Sequence, residues 1–191
     1  MADKSNDYIL WEAFRNGDEK SFSSIFNSYV QELYKYGSRF SDDSELVKDA
    51  IQELFIKLYN NRSNLGATDN IRFYLFKALK RRLIDELSQS ANTISLSTLS
   101  LPFDLEHSSD DEEEEWETVV RKKKLKSALS RLSPRQREAI YLRYEADMSL
   151  EEIAELLDMN YQSARNLIHR GIDKLRKTLL LVSLFIFFLV F

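Results

Sequence analysis

The stretch "SLEEIAELLDMNYQSARNLIHRGIDKLRK", residues 149–177, reads as two short helices separated by a tight turn. Ser149 stands three residues before Glu152, the spacing of a capping box, so a helix is expected to start at Leu150. Ile153, Ala154, Leu156 and Leu157 give it one apolar face. "DMN" (158–160) then interrupts the pattern, and Asn160 suits the N-cap of a second helix. In that helix Ala164, Leu167, Ile168 and Leu175 fall on an inward face, while Gln162, Ser163, Arg165, Asn166 and His169 fall outward. The pair is a candidate helix-turn-helix, whose second helix would lie in the major groove with its N-terminal residues at the base edges. Arginine pairs with guanine there, and Gln or Asn with adenine. Arg170, Lys174, Arg176 and Lys177 are placed for phosphates. On spacing alone, a helical hairpin with an ordinary solvated face fits as well.

Charge along the chain does not count against the first reading. The formal net charge is −4 over 191 residues, yet residues 83–120 hold eleven acids and no Lys or Arg, and residues 121–177 hold fourteen bases against eight acids. The basic block is the one that contains the helix pair, so the acidic average does not argue against nucleic acid. Gly and Pro number only 4 and 2, and no long run alternates apolar and polar residues, so the expected fold class is all-α. The absence of Cys excludes disulfides and thiolate metal sites. The N-terminus "MADKSNDYILWEAF" lacks the basic start and apolar run of a signal peptide.

Two small helical domains are expected, joined by an acidic flexible linker. Residues 8–88 carry helical apolar spacing, as in Leu46, Val47, Ala50, Ile51, Leu54, Phe55 and Leu58, and again in Phe73, Leu75, Phe76, Leu79 and Leu83. "NNRSNLGATDN" (60–70) is the polar break between these two helices. Residues 89–117 are rich in Ser and acid and show no period, which reads as linker. Helical spacing returns over 118–177, and an uncharged apolar tail occupies 178–191.

"LSRLSPRQREAIYLRY" (129–144), followed by the helix-turn-helix, resembles region four of bacterial sigma factors. "KDAIQELFIKLY" (48–59) is similar to the region-two "D-x-x-Q-E-x-F" helix, and "NIRFYLFKALKRRLIDEL" (70–87) to the promoter-contacting helix that follows it. Both halves in this order, with no other large domain, resemble a small extracytoplasmic-function (ECF) sigma factor, similar to the regulatory-transport-associated sigma factors of Bacteroidetes. "KRRLIDEL" departs from the family, which often has an Asn among the bases and a final Arg. The tail is a second departure.

The resemblance implies a transcription initiation factor that binds RNA polymerase core and recognises −10 and −35 promoter elements. Asp49, Gln52 and Glu53, on one helical face, are implied to hold the beta-prime clamp helices, with Leu54 and Phe55 supporting them. The −10 candidates are Asn61, Arg62, Asn64 and Asn70 in the loop and Arg72, Lys77, Lys80, Arg81 and Arg82 in the following helix. Strand opening needs cations on the backbone and a pocket or aromatic face for the unstacked base. Phe73, Tyr74 and Phe76 are core residues more readily than base platforms. The −35 candidates are Tyr161, Gln162, Ser163, Arg165, Asn166, His169 and Arg170. Expected partners are RNA polymerase core, through the beta-prime clamp helices and the beta flap, promoter DNA, and an anti-sigma factor. The alternative function is a stand-alone helix-turn-helix regulator that binds operators without polymerase.

No catalytic constellation, cofactor motif or metal site is expected. His169 has no Cys or His at ligand spacing, His107 lies in the linker, and no Gly-rich phosphate loop occurs. "DDEEEEWE" (110–117) reads equally as a polyanion mimic within polymerase and as a solubilising run. As a helix the fourteen tail residues would extend about 21 Å, short of the hydrocarbon core of about 30 Å. Three roles stay open for it: partial insertion at the inner membrane behind Lys174, Arg176 and Lys177, docking on the protein's own apolar surface, and binding a membrane-bound regulator. The expected compartment is the cytoplasm, with membrane association through the tail as an addition.

Overall fold

The computed structural model describes residues 4–90, 103 and 127–190, with backbone alone for 4–5, 89–90 and 179–190. The acidic run 110–117, His107 and the rest of 104–126 lie outside the described residues, as does the linker stretch 91–102. The chain divides into two compact units, Met1–Leu101 and Pro102–Phe191. Among the described residues every regular element is helical, as expected.

Unit 1 contains α1 (Lys4–Arg15), α2 (Glu19–Gly37), α3 (Ser44–Asn60), a single 3-10 turn (Arg62–Asn64) and α4 (Ile71–Ser90). Local chemistry marks the starts. Asp18 caps α2 by accepting from the Ser21 backbone N–H at 2.9 Å, which with the Ser21 hydroxyl holds its carboxyl below the usual aspartate value. Asp43 caps α3 by accepting from the N–H groups of Glu45 and Leu46. Val47, Ala50, Ile51, Leu54, Phe55 and Leu58 are buried along one face of α3. Leu75, Phe76, Leu79 and Leu83 are buried on α4. Large rings fill the space between: Trp11, Phe14, Tyr36 and Phe76 are all at most 1% exposed. Tyr36 meets Phe76 at 4.8 Å between ring centroids, and Phe14 meets Phe22 at 5.6 Å. Burying each such side chain is worth about 1.5–3 kcal/mol. The helices α2 and α3 approach closely at Gly37, where a Cβ would come within 2.7 Å of Val47 Cγ1.

Unit 2 is built mainly from aliphatic side chains, with Phe103 and Tyr141 as its buried rings among the described residues. Its helices are α5 (Pro134–Tyr144), α6 (Leu150–Leu156) and α7 (Tyr161–Val190), preceded by a helical turn at 127–129. Ala139, Leu142, Ile153, Leu156, Leu157, Ala164 and Ile168 form its core. The Ser149–Glu152 capping box is present in both directions, with Ser149 N–H to Glu152 Oε2 at 2.7 Å and Glu152 N–H to Ser149 Oγ at 3.1 Å. A second box at α5 joins Ser133 and Gln136, with Pro134 inside the first turn. The turn into α6 is closed by Arg143, whose guanidinium donates to the Met148 carbonyl at 2.7 Å. Gly171 allows α7 to approach α5, since a Cβ there would come within 2.9 Å of Ile140 Cδ1. Phe103 is 1% exposed and packs on Tyr141 of the same unit at 5.6 Å. Phe103 falls within the stretch expected to be linker. Among the described residues no helix is long and apolar enough to cross a membrane.

Candidate nucleic-acid interface

The turn between α6 and α7 aims the start of α7 outward. Asn160 accepts from the Ser163 N–H at 2.8 Å, so the expected N-cap forms. Ala164 and Ile168 are buried beneath the helix, while Leu167 and Leu175 are only half-buried. All seven −35 candidates, Tyr161, Gln162, Ser163, Arg165, Asn166, His169 and Arg170, are exposed on the opposite side. Gln162 Nε2 donates to Asn166 Oδ1 at 3.2 Å, and Arg170 Nε donates to the Asn166 carbonyl at 3.2 Å. His169 Nδ1 lies 3.1 Å from Asp173 Oδ2. This is a convex, polar helix face with donors and acceptors of the kind that match base edges.

The −10 candidates are arranged differently. A concave groove of about 700 Å³ lies between α3, the 61–70 loop and α4. Asn61, Lys77, Arg81 and Arg82 line it together with Leu58, Leu65 and Tyr74, and Asp85 is the one acid among its lining residues. Of the candidates, the groove gathers those four. Asn64 is exposed on the 3-10 turn, and Lys80 lies half-buried on α4 outside the groove lining. Several candidates already hold intramolecular partners. Asn70 Oδ1 accepts from the Phe73 N–H at 3.0 Å and so caps α4, and Asn61 Nδ2 donates to the Lys57 carbonyl at 2.8 Å. The Arg62 guanidinium donates to the Tyr59 carbonyl at 2.8 Å and sits 4.5 Å from the centroid of its ring. Arg72 pairs with Glu32 on α2 at 3.1 Å. Of the three aromatics of α4, Phe76 is core. Tyr74 lies against Trp11 at 5.0 Å, its hydroxyl pKa raised by burial, and Phe73 lies under Lys77. Lys57, Leu65 and Tyr74 belong to the groove but were not among the sequence candidates. They come together only when α3 packs on α4.

The α3 face carries Asp49 and Gln52 exposed and Glu53 half-buried. Leu54 and Phe55 point the other way, 7% and 3% exposed, so they hold the helix from beneath. Glu53 Oε2 accepts from Arg82 of α4 at 2.6 Å, and Arg82 also pairs with Glu86. One guanidinium therefore joins the two candidate surfaces of unit 1. Beside this face an open apolar groove of about 920 Å³ runs between α2 and α3, lined by Phe26, Val30, Ile51, Gln52, Phe55 and Ile56 among others. Phe26 and Ile56 are large, apolar and exposed. Lys48 stands at its rim, its ammonium held above the usual lysine value by a hydrogen bond to Glu45. Among the described residues no cluster of His, Cys, Asp and Glu has the makings of a metal site.

Comparison with known proteins agrees with this arrangement. The family described as sigma-70 region 2 matches residues 25–93, and that described as sigma-70, region 4 matches residues 122–175. The chain is 27% identical over 159 residues to the RNA polymerase sigma factor SigZ of Bacillus subtilis, covering 83% of this chain and 87% of the relative. It is 26% identical over 182 residues to the ECF RNA polymerase sigma factor SigW of the same organism, covering 86% and 92%. Among solved structures, the sigma factor RpoE of Bartonella quintana, in complex with the anti-sigma factor NepR, is similar in fold, with TM-score 0.61 at 19% identity over 84% of this chain and 97% of that one. CnrH, in complex with the cytosolic domain of CnrY, gives TM-score 0.60 at 18% identity over 91% and 96%. Both sigma-70 regions lie in one chain, in order, and each falls on its own helical unit. The chain belongs to the ECF sigma factors, which direct transcription initiation by RNA polymerase.

Proposed function

We propose that unit 1 carries the polymerase-binding and −10 surfaces of this sigma factor and unit 2 its −35 surface. The proposed division is 8–88 for the first domain, 89–117 for the linker, 118–177 for the second domain and 178–191 for the tail. The observation that carries the reading is the contrast between the exposed, polar start of α7 and the cation-bordered groove beneath the 61–70 loop. The first shape suits duplex DNA read from the major groove. The second suits an unstacked base, with apolar lining residues to cover it and cations for its phosphates. Asp49, Gln52 and Glu53 bind the beta-prime clamp helices, and the apolar groove between α2 and α3 extends that contact. Gln52 belongs to both surfaces, so one partner can cover them together. The helix-turn-helix binds the beta flap as well as the −35 element.

An anti-sigma factor is proposed as a further partner, supported by the complex in which the RpoE relative was solved. The cytoplasm is the proposed compartment, because polymerase and promoter are there. The tail is proposed as a contact segment for lipid or a protein partner. Deleting 178–191 should change membrane fractionation or promoter activity; unchanged values in both would remove that role.

The deciding experiment is run-off transcription with purified core polymerase. Core-dependent initiation should appear, and Arg165→Ala or Lys77→Ala with Arg81→Ala should reduce it without loss of core binding. Tight operator binding without core, and no initiation with it, would overturn the reading in favour of a stand-alone regulator.

A further inference from the structure

The 61–70 loop is held both from within and from α1. Its local bonds are short-range: Asn64 N–H to the Asn61 carbonyl at 2.9 Å, and Asn70 N–H to Thr68 Oγ1 at 3.1 Å. Two further bonds reach it from α1, far away in sequence. Trp11 Nε1–H donates to the Gly66 carbonyl at 2.9 Å, across 55 positions. Asp7 Oδ2 accepts from the Ile71 N–H at 3.1 Å, across 64 positions. The first holds the middle of the loop and the second holds its exit into α4.

Both donor and acceptor are buried. Trp11 is 0% exposed and its ring lies between Phe14 at 5.5 Å and Tyr74 at 5.0 Å. Asp7 is 6% exposed, and its carboxylate meets the positive end of α4, where anionic charge is stabilised. Tyr29 packs nearby, its hydroxyl pushed up to about 12 by burial and by the charge of Asp7. Tyr74, which Trp11 supports, also lines the groove between α3 and α4. Helix α1 therefore touches the loop's middle, its end and the groove beneath it. It also lies before residue 25, where the sigma-70 region 2 match begins.

A loop that receives an unstacked base works best if its backbone is ordered beforehand, because ordering each residue during the event costs about 1–2 kcal/mol. We propose that Trp11 and Asp7 are positioning residues for promoter opening: they tether Gly66 and Ile71 so that the loop is set before the DNA strands part. This rests on the −10 reading above. Helix α1 then governs the opening step and leaves core binding and −35 contact to other surfaces.

Three full-length variants test it. Trp11→Phe keeps a ring and removes the N–H donor. Asp7→Ala removes the acceptor, and Asp7→Asn restores an acceptor oxygen. Amide hydrogen exchange of each variant alone is the first readout. Residues 64–71 should exchange about tenfold faster in Trp11→Phe and Asp7→Ala, the scale of one lost hydrogen bond, with Asp7→Asn near wild type and α5–α7 unchanged. Unchanged exchange in the loop overturns the tether, whether or not the chain initiates transcription. The second readout is open-complex formation with core, on duplex promoter and on the same promoter with a pre-opened −10 bubble. Trp11→Phe and Asp7→Ala should open duplex about tenfold more slowly and recover on the bubble, with core affinity kept. An equal loss on bubble and duplex, or a parallel loss of core affinity, overturns the positioning role. A wild-type chain that opens no promoter with core defeats the −10 reading and with it the opening role, while the exchange result still decides the tether.

Discussion

The two candidate DNA surfaces are built on opposite principles. On α7 the side chains are presented on a convex face, over a core that is mainly aliphatic. In unit 1 the candidates border a hollow, and several are already engaged: Arg72 with Glu32, Arg82 with Glu53 and Glu86, Asn70 and Asn61 with backbone. Half-exposed ion pairs of this kind add little stability, roughly 0–1 kcal/mol each. What they do supply is direction, because a paired guanidinium has fewer rotamers left to lose. A reader of intact duplex tolerates adjustable side chains, since the groove itself orders them. A trap for a single base has to be shaped before its ligand exists.

The largest effect is expected for Trp11→Ala. Removing a fully buried indole should destabilise unit 1 by about 3–5 kcal/mol, and hydrogen exchange should show α1–α4 losing protection while α5–α7 keep theirs. Next comes Gly37→Ala. Its Cβ would meet the buried, β-branched Val47 at 2.7 Å, so denaturant unfolding should report a loss of about 1–3 kcal/mol confined to unit 1. Arg165→Ala sharpens the other side. It should leave both cores intact and cost up to about 1–3 kcal/mol of promoter affinity, with discrimination relaxed at one base pair. Binding assays against a set of −35 variants would check this, and a uniform loss across all of them would reassign Arg165 to phosphate. The smallest effect expected is Ser149→Ala. Loss of its bond to Glu152 should lower unit 2 stability by about 1 kcal/mol, read as a shift in the unfolding midpoint.

What the sequence disclosed follows the range of each interaction. The caps at Ser149 and Asn160 were legible because donor and acceptor lie within three residues. The apolar stripe of α3 was legible for the same reason, since helical periodicity is local. The second capping box, Ser133 with Gln136, has an equally plain signature but sat inside a stretch read as a motif. Leu54 and Phe55 were legible both in the apolar stripe and as supports of the Asp49, Gln52 and Glu53 face, and they are buried beneath it. Asn61 and Asn70 show a different limit. A loop amide serves a cap or a base equally well in composition, and only the fold reveals the backbone group beside it. The bonds from α1 to the loop span 55 and 64 positions, and no periodicity encodes them.

The two close approaches at glycine carry an evolutionary consequence. At 171 the obstacle is the tip of Ile140, which can rotate away or shrink to valine, so either position can drift first. At 37 the obstacle is a stiff, buried methyl of Val47, so a side chain there costs less once residue 47 has been trimmed. The order of substitution therefore matters more at 37 than at 171.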